Sequence, residues 1–360
     1  MSASSTRPSY AAVLRMPCAK RTFTAAVVGR LSYGMVSLTV MLAVSRATGS
    51  YAVAGTVMAL FGAASVFLTP LRAALIDRHG PRRALLPMAG LYAGLLGVLA
   101  AVGWRPGAPP ALLGVVAVAA GSCTPPLGAA MRAVWGELIA DRRLLQRAYS
   151  LDGGAEELTF VTGPLLVGLV VGFAPPAAGV AVSAVLVGAG TLGFAMSPAV
   201  RGVAVRASRV RLRMRGWRGL LQPVVVAGGV GLALGAVELL VLAFAEQRQH
   251  GDDTVAWVLA ALSAGSAVGG LLNGAVNWRV SARIRLPLLA VGLALALGAA
   301  GWAPGLVTLS AAMAVAGLFV APALTTSYLL ADEAGAWAGG CLLYTSDAAD
   351  DLRSVGVGGG

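Results

Sequence analysis

The chain is expected to be an all-α polytopic membrane protein, and three observations predict this. Hydrophobic residues make up 58% of its 360 residues, and charged residues only 12%, about half the usual globular share. Long uncharged runs recur from end to end, so the medium that covers them is hydrocarbon rather than water. The runs are also continuously apolar, without the period-two alternation of a lipid-facing barrel strand.

A helix needs about 20 apolar residues to cross roughly 30 Å of hydrocarbon. Ten spans are expected. The first six are Thr22–Val44, Val53–Leu71, Ala84–Val102, Ala111–Met131, Leu158–Ala174 and Ala177–Met196. The last four are Leu221–Phe244, Val255–Val276, Leu286–Trp302 and Leu306–Leu330. Pro175 and Pro176 separate the fifth and sixth, ending one helix and opening the next. The polar, basic start runs into the first span without a small-residue cleavage site, which reads as an uncleaved signal anchor.

Basic residues orient these spans. With the N-terminus in the cytoplasm, alternate loops carry twenty basic residues inside and three outside, the latter being Arg46, Arg105 and Arg248. That asymmetry accounts for the net charge of +12 without nucleic acid, for which no module or aromatic interleaving is present. The Arg201–Arg218 loop holds seven arginines and no acid, and suits anionic lipid. Lys20 is the single lysine among 27 basic residues, which with the abundant Ala, Gly and Val points to a GC-rich bacterial genome. Cys18, Cys123 and Cys341 show no paired spacing, so neither a disulfide framework nor a metal site is implied, and no cofactor is expected.

Two short matches pair helices six apart. Gly34–Val40 in the first span resembles Gly235–Val241 in the seventh, 201 residues on. Ala120-Gly121 precedes Pro126 by the interval at which Ala316-Gly317 precedes Pro322, 196 residues on. Two related halves around a central cavity are the architecture of a transporter.

Between the second and third spans stands Asp77-Arg78-His79-Gly80-Pro81-Arg82-Arg83. It resembles the signature loop of the major facilitator superfamily, with Ala73 where that family usually has glycine. Gly80 permits a left-handed turn between close helices, and the arginines hold the loop inside. Gly163-Pro164 with Gly168 resembles the glycine-proline motif of the antiporter branch, although Thr159 and Val167 replace two of its glycines. Small residues there also favour close helix packing.

The resemblance implies two six-helix bundles and small-molecule export. Residues 22–196 would form the first bundle, 197–219 a basic cytoplasmic linker behind the segment 1–21, and 220–340 four helices of the second. From Cys341 the chain turns polar, acidic and then glycine-rich, and Gly340–Asp350 can be encoded by a string resembling a sequencing-library adapter. Residues 341–360 are therefore expected to be adapter-derived, with helices 11 and 12 missing.

Ionisable residues inside spans cost about 2.5–3.5 kcal/mol on insertion scales, and so tend to face a cavity or a partner. Glu238, in the middle of the seventh span, is the candidate for proton coupling. Arg30 lies within the first span, where snorkelling, a salt bridge or substrate contact are all open. Arg132, Glu156 and Glu157 are candidates for an inner charge cluster, and the resemblance assigns a latch role there to Asp77. With Arg30, the residues Tyr33, Ser37, Thr39, Ser122 and Thr124 are candidate cavity positions. Pro125 and Pro126 should kink the fourth helix and expose carbonyls.

The expected function is secondary active export of a small amphiphilic or hydrophobic solute, coupled to protons, by a monomer in the plasma membrane. A membrane enzyme lacks its constellation, since His79 and His250 are the two histidines and Asp252-Asp253 stands apart. No Gly-rich phosphate loop is present for ATP. A non-transporting sensor, or an inactive truncated fragment, remains the alternative.

Overall fold

The computed structural model describes residues 9–202, 214–247, 253–276, 278 and 280–333. Its first half begins with a short helix, α1 (Tyr10–Arg15), followed by α2 (Ala19–Thr48). The α2 helix ends on Gly49, whose φ of +70° lets its N–H close back on the Ser45 carbonyl at 2.8 Å. The second predicted span is bent by 43° into α3 (Tyr51–Phe67) and α4 (Thr69–His79). The signature segment is barely a loop. Asp77, Arg78 and His79 finish α4, Gly80 alone intervenes, and Pro81 opens α5 (Pro81–Val102). Gly80 has φ +82° and ψ 154°, so its positive φ carries an extended turn rather than the expected left-handed helical one.

The fourth predicted span is broken, not merely kinked. The α6 helix (Pro110–Cys123) stops before Thr124, and α7 (Leu127–Leu138) restarts after the tandem prolines. The fifth is longer than its apolar run. Asp141 accepts from the backbone N–H of Arg143 and Leu144 at 2.7 and 3.2 Å, which starts α8 (Arg142–Phe173) sixteen residues ahead of the expected Leu158. Glu156 and Glu157 therefore lie mid-helix. The first half closes with α9 (Pro176–Ala195) and a short α10 (Pro198–Gly202) entering the linker.

The second half comprises α11 (Met214–Gln247), α12 (Asp253–Ala275), α13 (Ala282–Ala300) and α14 (Leu306–Glu333). Among the described residues, eight helices are long and apolar enough to span a bilayer, or nine if the bent α3–α4 pair is one span. The seventh predicted span is represented by the shorter apolar stretch Leu221–Val237 within α11. Residues 203–213 of the basic linker, the tail 341–360 and the side chain of Glu238 lie outside the described residues.

Glycines let the helices of the first half meet closely, as apolar packing without a hydrophobic drive requires. A Cβ on Gly163 of α8 would stand 2.3 Å from the Gly34 carbonyl of α2, and one on Gly190 of α9 would stand 2.2 Å from the Gly29 nitrogen. Three apolar cores result. One fills the first half around Tyr92, Leu96 and Leu113, and one fills the second half around Val258, Leu286 and Met313. The third joins the halves: Val13, Trp135, Tyr149 and Leu145 pack with Tyr328 and Leu329 of α14. It lies at the end of the bundle where α2 starts, α4 ends and α8 starts, which also carries Arg21, Arg78, Arg82, Arg83, Arg142 and Arg143. We refer to it as the arginine-rich end.

Candidate functional site at the junction of the halves

The site is built about one third to halfway into the bundle. At 1.5 Å per residue, Arg30 of α2 and Asp152 of α8 each stand about 15 Å along their helices from the arginine-rich end. They meet there as an ion pair at 2.6 Å, and both are almost wholly buried. Arg132 of α7, also buried, reaches Asp152 at 3.6 Å and Glu156, one turn further along α8, at 3.5 Å. The Asp152–Glu156 spacing of four places both carboxylates on one helix face. Buried charges of this kind persist only when paired, because each guanidinium would otherwise face hydrocarbon.

This network touches the second half. The Arg132 guanidinium lies over the Tyr328 ring at 4.6 Å, and Tyr149 meets the same ring edge-on at 6.2 Å. A small cavity of about 30 Å³, room for about one water, lies between the halves. Asp152, Glu156, buried Glu157, Thr325 and Tyr328 contribute to its wall.

Closer to the arginine-rich end, the last turn of α12 supplies carbonyls that its own helix cannot fully use. Donors of α8 take them. Gln146 Nε2 donates to the Asn273 carbonyl at 2.5 Å, and Arg147 Nη2 to the Ala275 carbonyl at 3.2 Å. Arg285 of α13 donates to Gln146 Oε1 at 3.4 Å, and Arg142 pairs with Glu333 at the end of α14. A cation beside a helix C-terminus is favoured by the helix dipole as well as by the hydrogen bond.

A second constellation holds the break in α6–α7. The Tyr33 hydroxyl donates to the Pro125 carbonyl, and buried Arg72 donates to the carbonyls of Thr124 and Ser65 and to Thr69 Oγ1. The carbonyls exposed at the break, those of Thr124 and Pro125, are thus occupied by side chains, and that of Gly121, four residues before Pro125, accepts from Thr124 Oγ1. One arginine thereby ties the bend of α3–α4 to the break of α6–α7.

The other predicted positions distribute as follows. Ser37 is buried in α2, and Thr39 lies against α9, with a Cβ on Gly179 falling 2.4 Å from its Cγ2, rather than facing a cavity. Ser122 Oγ donates to the Val118 carbonyl of its own helix, and Thr124 Oγ1 to the Gly121 carbonyl. Asp77 is half-buried at the end of α4, with Arg78, Arg82 and Arg83 exposed. Pro164 sits half-buried inside α8, and Gly168 is exposed with nothing within 4 Å of its missing Cβ, so it makes no close helix contact among the described residues.

Asp152, Arg72 and Tyr328 were not singled out from sequence. Asp152 was legible once Asp141 is read as a helix cap, since it then falls four residues before Glu156 inside a helix. Arg72 follows Ser65 and Thr69 at spacings of seven and three, a polar stripe on one helix face.

Similar folds are found among solved transporters. A bacterial homologue of the iron transporter ferroportin, in an outward-facing state, superposes with a TM-score of 0.74 at 13% identity, covering 95% of this chain and 91% of that one. The human organic anion transporter MFSD10 (TETRAN) gives 0.58 at 14% identity, covering 94% and 99%. The proton:xylose symporter XylE, bound to 6-bromo-6-deoxy-D-glucose, gives 0.63 at 11%, covering 97% and 87%. At these identities the likeness concerns the fold. A search of curated proteins gave no match. The family profile described as Major Facilitator Superfamily matches residues 22–340, which takes in both halves, the signature segment and the charged junction. The chain therefore belongs to the major facilitator superfamily, a family of membrane transporters rather than enzymes.

Proposed function

We propose that the chain is a secondary active exporter, moving a small amphiphilic or hydrophobic organic molecule across the plasma membrane by alternating access, with protons entering in exchange. The observation that carries this reading is the polar seam at the arginine-rich end, where donors and rings of α7 and α8 engage α12 and α14. In this reading that end is cytoplasmic, with the N-terminus, and the seam is the closed inner gate of a monomer. Each of its contacts is a single hydrogen bond, ring contact or ion pair, worth about 0.5–3 kcal/mol, so the set is strong enough to favour one state and weak enough to break in a cycle.

An apolar solute is favoured by the scarcity of polar side chains. A hollow of about 570 Å³ between α3 and α6, at the opposite end, is walled by Val53, Val57, Leu60, Val115 and Val118, with Thr56 as its one polar side chain. Glu238 of α11 takes the coupling role, because it is an acid in the apolar middle of a helix.

The test uses purified protein in proteoliposomes with an internal pH dye and a panel of fluorescent amphiphilic cations and neutral dyes. At least one solute should move when a pH gradient is imposed and should dissipate that gradient faster. Glu238→Gln should abolish the coupled proton movement. Solute movement indifferent to the gradient would remove proton coupling from the account.

A further inference from the structure

We infer that α1 is a clasp on the inner gate, anchored to the first half by Val13 and hydrogen-bonded to the second half by Tyr10. The inference rests on the reading of the arginine-rich end as a gate. It concerns a segment that precedes the predicted spans and lies outside the stretch that matches the family profile.

The helix is short but well defined. Ser9 Oγ accepts from the Ala12 N–H at 3.1 Å, which starts it. Cys18, with φ +62°, turns the chain from α1 into α2, a backbone region that side chains other than glycine seldom adopt. Tyr10 and Val13, three residues apart, share one face. Val13 is fully buried in the core that contains Trp135, Tyr149 and Leu145 and also Tyr328 and Leu329 of α14. The α1 helix itself packs on α8 and α2 of the first half. From that anchorage the Tyr10 hydroxyl donates to the Leu271 carbonyl, one turn before the end of α12, at 2.5 Å.

Tyr10 thus completes a row. The carbonyls of Leu271, Asn273 and Ala275 receive donors from Tyr10, Gln146 and Arg147, all from the first half. Gly274 allows it: a Cβ there would stand 2.3 Å from the Tyr10 hydroxyl and 2.6 Å from Ser150 Cβ. Burial pushes the Tyr10 hydroxyl up from its ordinary pKa, with Arg147 pulling against it, so it remains a donor at neutral pH. For the gate to open, α12 must leave the Tyr10 hydroxyl while α1 stays on the first half. The clasp therefore favours the state closed at the arginine-rich end.

The experiment measures gate opening directly. Thr325, which is 2% exposed beside the junction cavity, is replaced by Cys in the full chain, with Cys18, Cys123 and Cys341 changed to Ser. The labelling rate by a membrane-impermeant maleimide is followed from the arginine-rich side in inside-out vesicles. Tyr10→Phe removes one hydroxyl and should raise the rate roughly threefold to tenfold, the worth of a hydrogen bond. Val13→Ser should raise it at least as much, and adding Tyr10→Phe to it should change nothing further. Arg132→Ala, which breaks the gate itself, serves as the reference. If Arg132→Ala raises the rate while Tyr10→Phe does not, whatever Val13→Ser does, the gate stands and the clasp is overturned. If none of the three changes it, the gate reading falls and takes the clasp with it.

Discussion

The broken α6–α7 and the continuous α14 stand at equivalent places in the two halves, and they solve one problem differently. Each crosses a neighbour through a glycine. A Cβ on Gly121 would stand 2.3 Å from the Phe61 carbonyl of α3, and one on Gly317 would stand 2.1 Å from the Leu262 carbonyl of α12. Five residues beyond that glycine lies a proline, Pro126 or Pro322. In the first half a second proline, Pro125, precedes it, so Thr124 and Pro125 are both driven from helical geometry and the helix breaks. In the second half one proline disturbs one residue, and α14 runs on from Leu306 to Glu333. The carbonyl four residues before Pro322, that of Leu318, faces the close backbone of Gly269. Thr326 Oγ1 donates to the Pro322 carbonyl at 2.7 Å. The first half instead brings Arg72 and Tyr33 to its break. Similar sequence spacing thus yields a clamped discontinuity in one half and a stiff rod in the other, and the charged network sits on the clamped side.

The largest way to break this comparison is to remove the buried charge. Asp152→Ala should leave Arg30 unpaired and cost about 3–5 kcal/mol, read as a fall in unfolding midpoint in detergent. Changing Arg30 and Asp152 together to leucine should recover most of that loss. A single substitution without effect would mean that the ion pair does not support the first half.

A smaller effect separates the repeat-related glycines. Gly34→Ala pushes a methyl to 2.4 Å from the Thr159 carbonyl and should cost about 1–3 kcal/mol. Gly235→Ala meets no described atom within 4 Å and should stabilise the helix by up to about 1 kcal/mol. Equal losses at the two sites would show the halves to be packed alike.

Smaller again is the clamp. Arg72→Met strands the buried Thr124 carbonyl, while the Ser65 carbonyl keeps the Thr69 hydroxyl, and should cost about 1–3 kcal/mol. Thr326→Ala, which removes a local bond within α14, should cost less than about 1 kcal/mol. The same thermal unfolding assay ranks them, and the reverse order would contradict the contrast drawn between broken and continuous helices.

Sequence carried the architecture further than the site. Apolar run length located eight of the expected spans among the described residues, or nine with the bent pair, because lipid demands it. Gly121 and Gly317 both stand at close helix crossings, which demand small residues. Run length failed at helix ends that pass beyond hydrocarbon. The α8 helix starts at the Asp141 cap, in a basic segment with no apolar signal, and with it Asp152 moved from a boundary to the interior. The expectation of open carbonyls at Pro125-Pro126 was half the story, since the kink follows from local chemistry while its occupants, Tyr33 and Arg72, come from 92 and 52 residues away. The pairing of Arg30 with Asp152 spans 122 residues, and spacing alone carries no signal for it.

The central claim is that the two halves close at the arginine-rich end and rock about the junction. Spin labels at Arg143→Cys and Arg283→Cys report that end, and labels at Ala111→Cys and Val307→Cys report the other, all four positions being exposed. Pulsed dipolar distances should be taken in lipid nanodiscs at two pH values, with and without a transported solute. The account predicts that the first pair lengthens whenever the second shortens. Two distances that stay fixed, or that lengthen together, would contradict it.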